Sequence, residues 1–190
     1  MVVPTQAGDL DPVALETALM QTWSDENTFA QSIEERRDGA SPFTFLEGPP
    51  TANGKPGIHH VISRLFKDLV CRWKTMEGHI VERKAGWDTH GLPVEIEVQK
   101  QLDLMSNEAI EAYGMEAFNQ KCKESVWTYE QAWREMTERM GFWVDMDDPY
   151  VTLHDDFIES AWWSLKKMFD KGLLFRGHKV LPYCPQTGTS

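Results

Sequence analysis

Residues 43–60 read FTFLEGPPTANGKPGIHH, an order that leaves the backbone few options. Residues 43–46 predict a β-strand, and residues 47–57, dense in glycine and proline, predict a rigid loop. His59 and His60 then fall in the first turn of a helix. The first N–H groups of a helix have no partner inside it, and the macrodipole is positive there, so this arrangement forms an anion site. Two imidazoles at the same place add donors. The residues predict a cradle for the phosphates of a nucleotide.

The rest of the chain can be read around that loop. Asp11 and Pro12 open a helix as N-cap and first residue, with Leu15, Leu19 and Trp23 expected to face inward. A second helical piece is expected over 25–36. Turns at Asp38-Gly39 and Ser41-Pro42 precede the central strand. From His59 to Met76, Val61, Ile62, Leu65, Phe66, Leu69, Val70 and Trp73 recur at helical spacing and predict a wide buried face, with Gly78 at the end. Residues 79–84, HIVERK, predict a second strand parallel to the first. The resulting βαβ unit puts the 47–60 loop and the AGWDTHGLP loop (85–93) on one rim, where open α/β sheets bind ligands. Further helices are expected from Pro93, after Ser106, over 115–140 and over 155–171. Residues 145–149 predict an acidic turn, and residues 173–184 predict strand material, with a hairpin around Arg176-Gly177.

Composition narrows the function classes. The 190 residues include eight Trp and nine Phe, enough for a packed core, and carry a net charge of -11. That balance argues against this segment holding nucleic acid by itself, which needs a surplus of Lys and Arg on one face. There is no apolar run of membrane-spanning length and no signal-peptide pattern at the start, so the expected compartment is the cytoplasm. Cys71, Cys122 and Cys184 are too few and too scattered for a disulfide framework. His59 and His60 are adjacent, whereas a helical metal pair uses i, i+4 spacing. Cys184 has Thr187 where a zinc knuckle would place its second Cys, so no structural zinc is expected. Asp88, in GWDTHGLP, suits a cationic group such as an α-ammonium. His90 can serve as a further polar contact or as a hydrogen-bonded structural residue. Trp127, Trp133 and Met136 read as helix-packing residues.

FTFLEGPPTANGKPGIHH, followed by KDLVCRWKTMEGHIVERKAGWDTHGLPVEIEVQKQL, resembles the N-terminal catalytic segment of isoleucyl-tRNA synthetases, which are class I aminoacyl-tRNA synthetases. The resemblance runs from the Trp23 helix to the Cys184 segment and is strongest over 43–102. It implies an α/β fold: the first half of a Rossmann-type nucleotide-binding domain with long helical segments. Residues 1–42 would be a helical leader. Residues 43–190 would be the N-terminal half of the catalytic domain, ending where an editing insertion begins. It also implies ATP, with Mg2+, and isoleucine as substrates, and tRNA(Ile) as partner through a longer, monomeric, membrane-free enzyme. By motif match, Pro49, Trp87 and Asp88 would serve the amino acid, with Asp88 on its ammonium group. Thr51, Ala52, Asn53, Gly54 and Gly57 would approach ATP together with His59 and His60. These two histidines are the expected catalytic residues, His60 donating to phosphate oxygens as charge develops on them.

The class signature is His, any residue, Gly, His, whereas here the same positions are Gly57, Ile58, His59 and His60. His59 thus stands where the family's glycine lets adenine lie on the helix, and it must turn aside or reshape that pocket. The lysine-bearing KMSKS loop and the anticodon-binding parts of the family do not occur in these 190 residues, so the chain is expected to be a segment that does not aminoacylate alone. A valyl- or leucyl-type segment, another nucleotidyl transferase with helix-terminal histidines, and a non-catalytic nucleotide-binding fragment are the alternatives.

Overall fold

The computed structural model describes residues 11–51 and 53–185, and the chain divides into two compact units, Met1–Thr152 and Leu153–Ser190. Residues 1–10 of the expected helical leader lie outside the described residues.

In the first unit Asp11 caps α1 (Pro12–Asp25), its Oδ1 accepting from Val13 N at 3.1 Å and Ala14 N at 3.2 Å. Helix α2 (Thr28–Glu34) is shorter than expected, because Asn27 before it adopts φ 50° and separates it from α1. Of the three α1 residues expected to face inward, Leu15 is exposed, while Leu19 and Trp23 are half-buried.

Helix α3 (Ile58–Met76) forms where the sequence predicts it, but its buried face is a different one. Arg64, Asp68, Cys71 and Thr75 are buried, whereas Ile62, Leu65, Phe66, Leu69, Val70 and Trp73 are exposed. The inward strip is polar because its groups find partners. Arg64 Nη1 donates to Thr137 Oγ1, and Arg72 Nε donates to Asp68 Oδ2 at 2.6 Å. Arg83, whose side chain is wholly buried, donates to Asp68 Oδ1 at 3.0 Å, Thr75 Oγ1 at 3.2 Å and Trp143 O at 3.2 Å. The Arg72 guanidinium also lies 3.8 Å from the Trp143 ring centroid and 4.7 Å from that of Trp23, cation–π contacts with both rings of an edge-to-face pair that tie α1 to the core.

The sheet is smaller than expected. Strand β1 (Lys84–Trp87) pairs in parallel with β2 (Asp145–Val151), opposing Gly86 to Tyr150 and Trp87 to Val151. Residues 145–149, expected as an acidic turn, are therefore strand. Residues 43–46 keep a strand's alternation of half-buried and exposed positions but form no ladder. Parallel bridges occur only at their flanks, Pro42 with Ile80 and Thr51 with Asp88. Prolines 42, 49 and 50 have no N–H to offer, which limits pairing in this segment. The expected parallel pair is thus reduced to a single bridge beside it, Pro42 with Ile80, and the strand that forms, β1, starts at Lys84, the last residue of the 79–84 segment.

Helices α4 (Leu92–Leu102), α5 (Asn107–Tyr113, capped by Ser106) and α6 (Met115–Ser125) enclose Val98, Ile110 and Phe118. The single helix expected over 115–140 is broken by a 3₁₀ turn (Val126–Thr128) before α7 (Glu130–Arg139). The break lies in Val126-Trp127-Thr128-Tyr129, a β-branched and aromatic run that weakens helical continuity, and Val126 is fully buried there. In the second unit α8 (Asp155–Asp170) stops before Gly172, which has φ 68°. Residues 173–183 form no strand, so the expected hairpin is absent.

Candidate nucleotide and amino-acid site

Residues 47–57 are held by side chains from three elements of the first unit and by Asp88, just beyond β1. Lys67 of α3 donates to Glu47 Oε1 at 2.6 Å and to Gly48 O at 3.1 Å. Tyr150 of β2 donates its phenol hydroxyl to Glu47 O at 2.6 Å. Asp88, the residue after β1, donates its backbone N–H to Pro50 O at 3.0 Å and accepts from Thr51 Oγ1 at 3.1 Å through Oδ2. Trp133 of α7 donates its indole N–H to Gly54 O at 2.9 Å. Trp133 is 1% exposed, so its packing role holds, but it is also an anchor of the loop. Its spacing on α7 looks like any core tryptophan's, so the sequence carried no signal of that bond.

Gly57 caps α3 with φ -114° and ψ 171°, and its N–H donates to His60 Nδ1 at 2.9 Å. Because Nδ1 accepts, the neutral imidazole carries its proton on Nε2, which makes Nε2–H a donor. Burial, with smaller contributions from His59 and Arg64, lowers the His60 pKa below the ordinary imidazole value. The ring stands edge-on to Trp133 with centroids 4.6 Å apart. The His59 ring lies 3.8 Å from that of His60 and is folded back over Gly57, where an added Cβ would come within 2.9 Å of His59 Cε1. The exchanged glycine and histidine are thus coupled: the bare Cα of residue 57 receives the ring of residue 59.

The predicted residues fall into two groups. Pro49, Thr51 and Asp88 sit where the loop meets the end of β1, and Gly54, Gly57, His59 and His60 gather around the start of α3. Ala52 lies outside the described residues. Asn53 is half-buried, and no polar contact defines it. Trp87 is 3% exposed and points into the interior, where with Glu47 and Arg64 it lines a cavity of about 10 Å3. His90 Nε2 bonds Thr152 O at 2.8 Å, and Thr89 N donates to Thr152 Oγ1 at 3.0 Å, so the loop after β1 is pinned to the end of β2. Sequence reasoning missed Glu47, Lys67 and Tyr150, whose partners are distant in the chain.

Among the described residues, no three His, Cys, Asp or Glu side chains converge as a metal site. Nor is any helix among them long and apolar enough to cross a membrane.

The family of class I tRNA synthetases (I, L, M and V) matches residues 18–190. Isoleucine–tRNA ligase 2 of Bacillus cereus is 57% identical over 178 residues, covering 94% of this chain. The isoleucine–tRNA ligases of Clostridium kluyveri and Dehalococcoides mccartyi are 54% and 53% identical over 94% and 93% of it. The chain spans 17% of the length of each of these relatives. Among solved structures, the LeuRS of Agrobacterium radiobacter K84, in a ternary complex with tRNA and LeuAMS, aligns with a TM-score of 0.51 at 21% identity. That alignment covers 83% of this chain and 18% of the other, and at this identity it concerns the fold alone. With its family match running from α1 to the last residue, the chain belongs to the class I tRNA synthetases of the isoleucine, leucine, methionine and valine group.

Proposed function

We propose that this chain is the part of an isoleucine–tRNA ligase that holds isoleucine and ATP while isoleucyl-adenylate forms. The observation that carries the reading is the placement on one loop of a carboxylate, Asp88 through Thr51, and a neutral imidazole donor, His60, at a helix N-terminus. The names of the relatives favour isoleucine over the valyl and leucyl alternatives.

In this reading Asp88, with Oδ2 held by Thr51, offers its other oxygen to the substrate ammonium group, and Pro49 bounds the side-chain pocket. Residues 51–57 approach the adenosine and triphosphate. The substrate carboxylate attacks the α-phosphorus, the bond from that phosphorus to the bridging oxygen breaks, and pyrophosphate leaves. His60 Nε2–H and the first N–H groups of α3 meet the phosphate oxygens as charge builds on them, which stabilises the transition state without proton transfer. His59, folded over Gly57, borders the adenine side. Buried Trp87 supports Asp88 from beneath. Mg2+ would enter with the triphosphate and would offset charge on its oxygens. Transfer to tRNA(Ile) belongs to a longer, cytoplasmic, monomeric enzyme.

The test is thermal unfolding with and without a non-hydrolysable isoleucyl-adenylate analogue. At about a hundred times Kd, a ligand specific to the folded state adds about 2.7 kcal/mol, which raises Tm by about 5–10 °C for a chain of this size. Asp88→Ala is expected to abolish the rise. A cooperative melt that the analogue does not move would overturn the reading.

A further inference from the structure

Tyr150 lies against Gly86 across the β1–β2 pair so closely that a Cβ on Gly86 would fall 2.3 Å from Tyr150 Cζ and 2.4 Å from Cε1. No real Cβ tolerates such an approach, so the phenol ring occupies the space that any other residue at 86 would fill. Seated there, the ring sends its hydroxyl 2.6 Å onto Glu47 O. On the other side of Glu47, the 2.6 Å bond from Lys67 holds a carboxylate whose side chain is 3% exposed. The chain just beyond Glu47 is stiff, since Pro49 and Pro50 have φ set by their rings. The position taken by Glu47 is therefore passed on to Pro49, to the Pro50 carbonyl that meets Asp88 N, and to the Thr51 hydroxyl that meets Asp88 Oδ2.

We propose that Tyr150, seated on Gly86, is a positioning residue of the amino-acid site: its hydroxyl sets where Glu47 stands and hence where Pro49 and the Thr51–Asp88 pair stand. It acts through the backbone and touches neither substrate. The proposal rests on the amino-acid and nucleotide reading given above, and two independent measurements on the 190-residue chain separate the two.

The first measurement is amide hydrogen exchange without ligand. Tyr150→Phe removes the hydroxyl and keeps the ring. Exchange of the Asp88 N–H, donated to Pro50 O, is expected to quicken about fivefold, the worth of one ordinary hydrogen bond. The N–H groups of Phe142 and Asp145, bonded to Thr137 O and Arg83 O, are expected to stay unchanged. The second measurement is calorimetric titration with the isoleucyl-adenylate analogue, whose affinity is expected to fall about fivefold. Tyr129→Phe, which removes a hydroxyl bonded to Glu97 instead, is expected to move neither. Unchanged exchange at Asp88, or a uniform rise throughout the first unit, overturns the proposal. So does an exchange effect that leaves the affinity of a binding-competent chain untouched. If the wild-type chain does not bind the analogue while Asp88 exchange still responds, the substrate reading falls and the positioning of the loop by Tyr150 stands.

Discussion

His60 shows how much one bond can decide. Its Nδ1 accepts the Gly57 N–H, so in the neutral ring the proton sits on Nε2. Burial disfavours the protonated ring, with smaller contributions from His59 and Arg64, and the pKa is lowered. The consequence for stability has a definite sign. A base with a folded-state pKa below its unfolded value binds the proton less well when folded, so its contribution is intact above the ordinary imidazole value of about 6.5 and is lost as pH falls below it. Between about pH 7.5 and 5.5 the wild-type Tm is therefore expected to fall further than that of His60→Asn, as measured by parallel thermal melts. Both histidines were legible in the sequence as helix-terminal groups. The place of His59 was not, since turning aside and reshaping the pocket fit the same letters. Its ring found room over Gly57 because that residue has no side chain.

Between elements, buried polar contacts organise the first unit more than apolar stripes do. Arg83 is the fifth residue of HIVERK, a segment expected as a strand. Its guanidinium is wholly buried and joins α3 to Trp143 through Asp68 and Thr75. Removing one partner of a buried pair strands the other, and Asp68 would keep only Arg72 and the Trp143 N–H. Arg83→Leu is expected to destabilise the chain by about 3 kcal/mol or more, measured by urea unfolding. The periodicity of α3 predicted the helix correctly and its buried side wrongly. Periodicity registers where apolar residues lie, and cannot weigh a polar strip whose partners, Thr137 and Trp143, lie far along the chain. The strand over 145–149 was hidden for a related reason. Its acidic residues and Pro149 imitate a turn, and its register depends on β1.

At the scale of the molecule, the apolar face of α3 is the feature with the most direct consequence. Leu65, Phe66 and Leu69 are 57%, 64% and 60% exposed, and lie on one side of one helix. A contiguous apolar patch of this kind promotes association, against which the net charge of -11 works. The 190-residue chain is expected to self-associate as its concentration rises. Phe66→Glu should raise the concentration at which light scattering appears and change Tm by less than about 2 °C. The family match over residues 18–190 and the 17% span of the curated relatives place this face in a protein family whose members are much longer.

The sequence by itself determined the local devices: the Asp11 and Ser106 caps, the glycine- and proline-dense loop, and the helix that starts at its end. It also carried the family, in GPPTANG, GIHH and GWDTHGLP. These depend on residues a few positions apart, where backbone sterics and unpaired N–H groups act directly. The tertiary structure alone decided which face of α3 turns inward and which side chains grip the loop. Each of these rests on a contact between residues tens of positions apart, such as Tyr150 with Glu47 or Trp133 with Gly54. Burial makes such polar contacts matter, because an unpaired group in the interior costs far more than one in water.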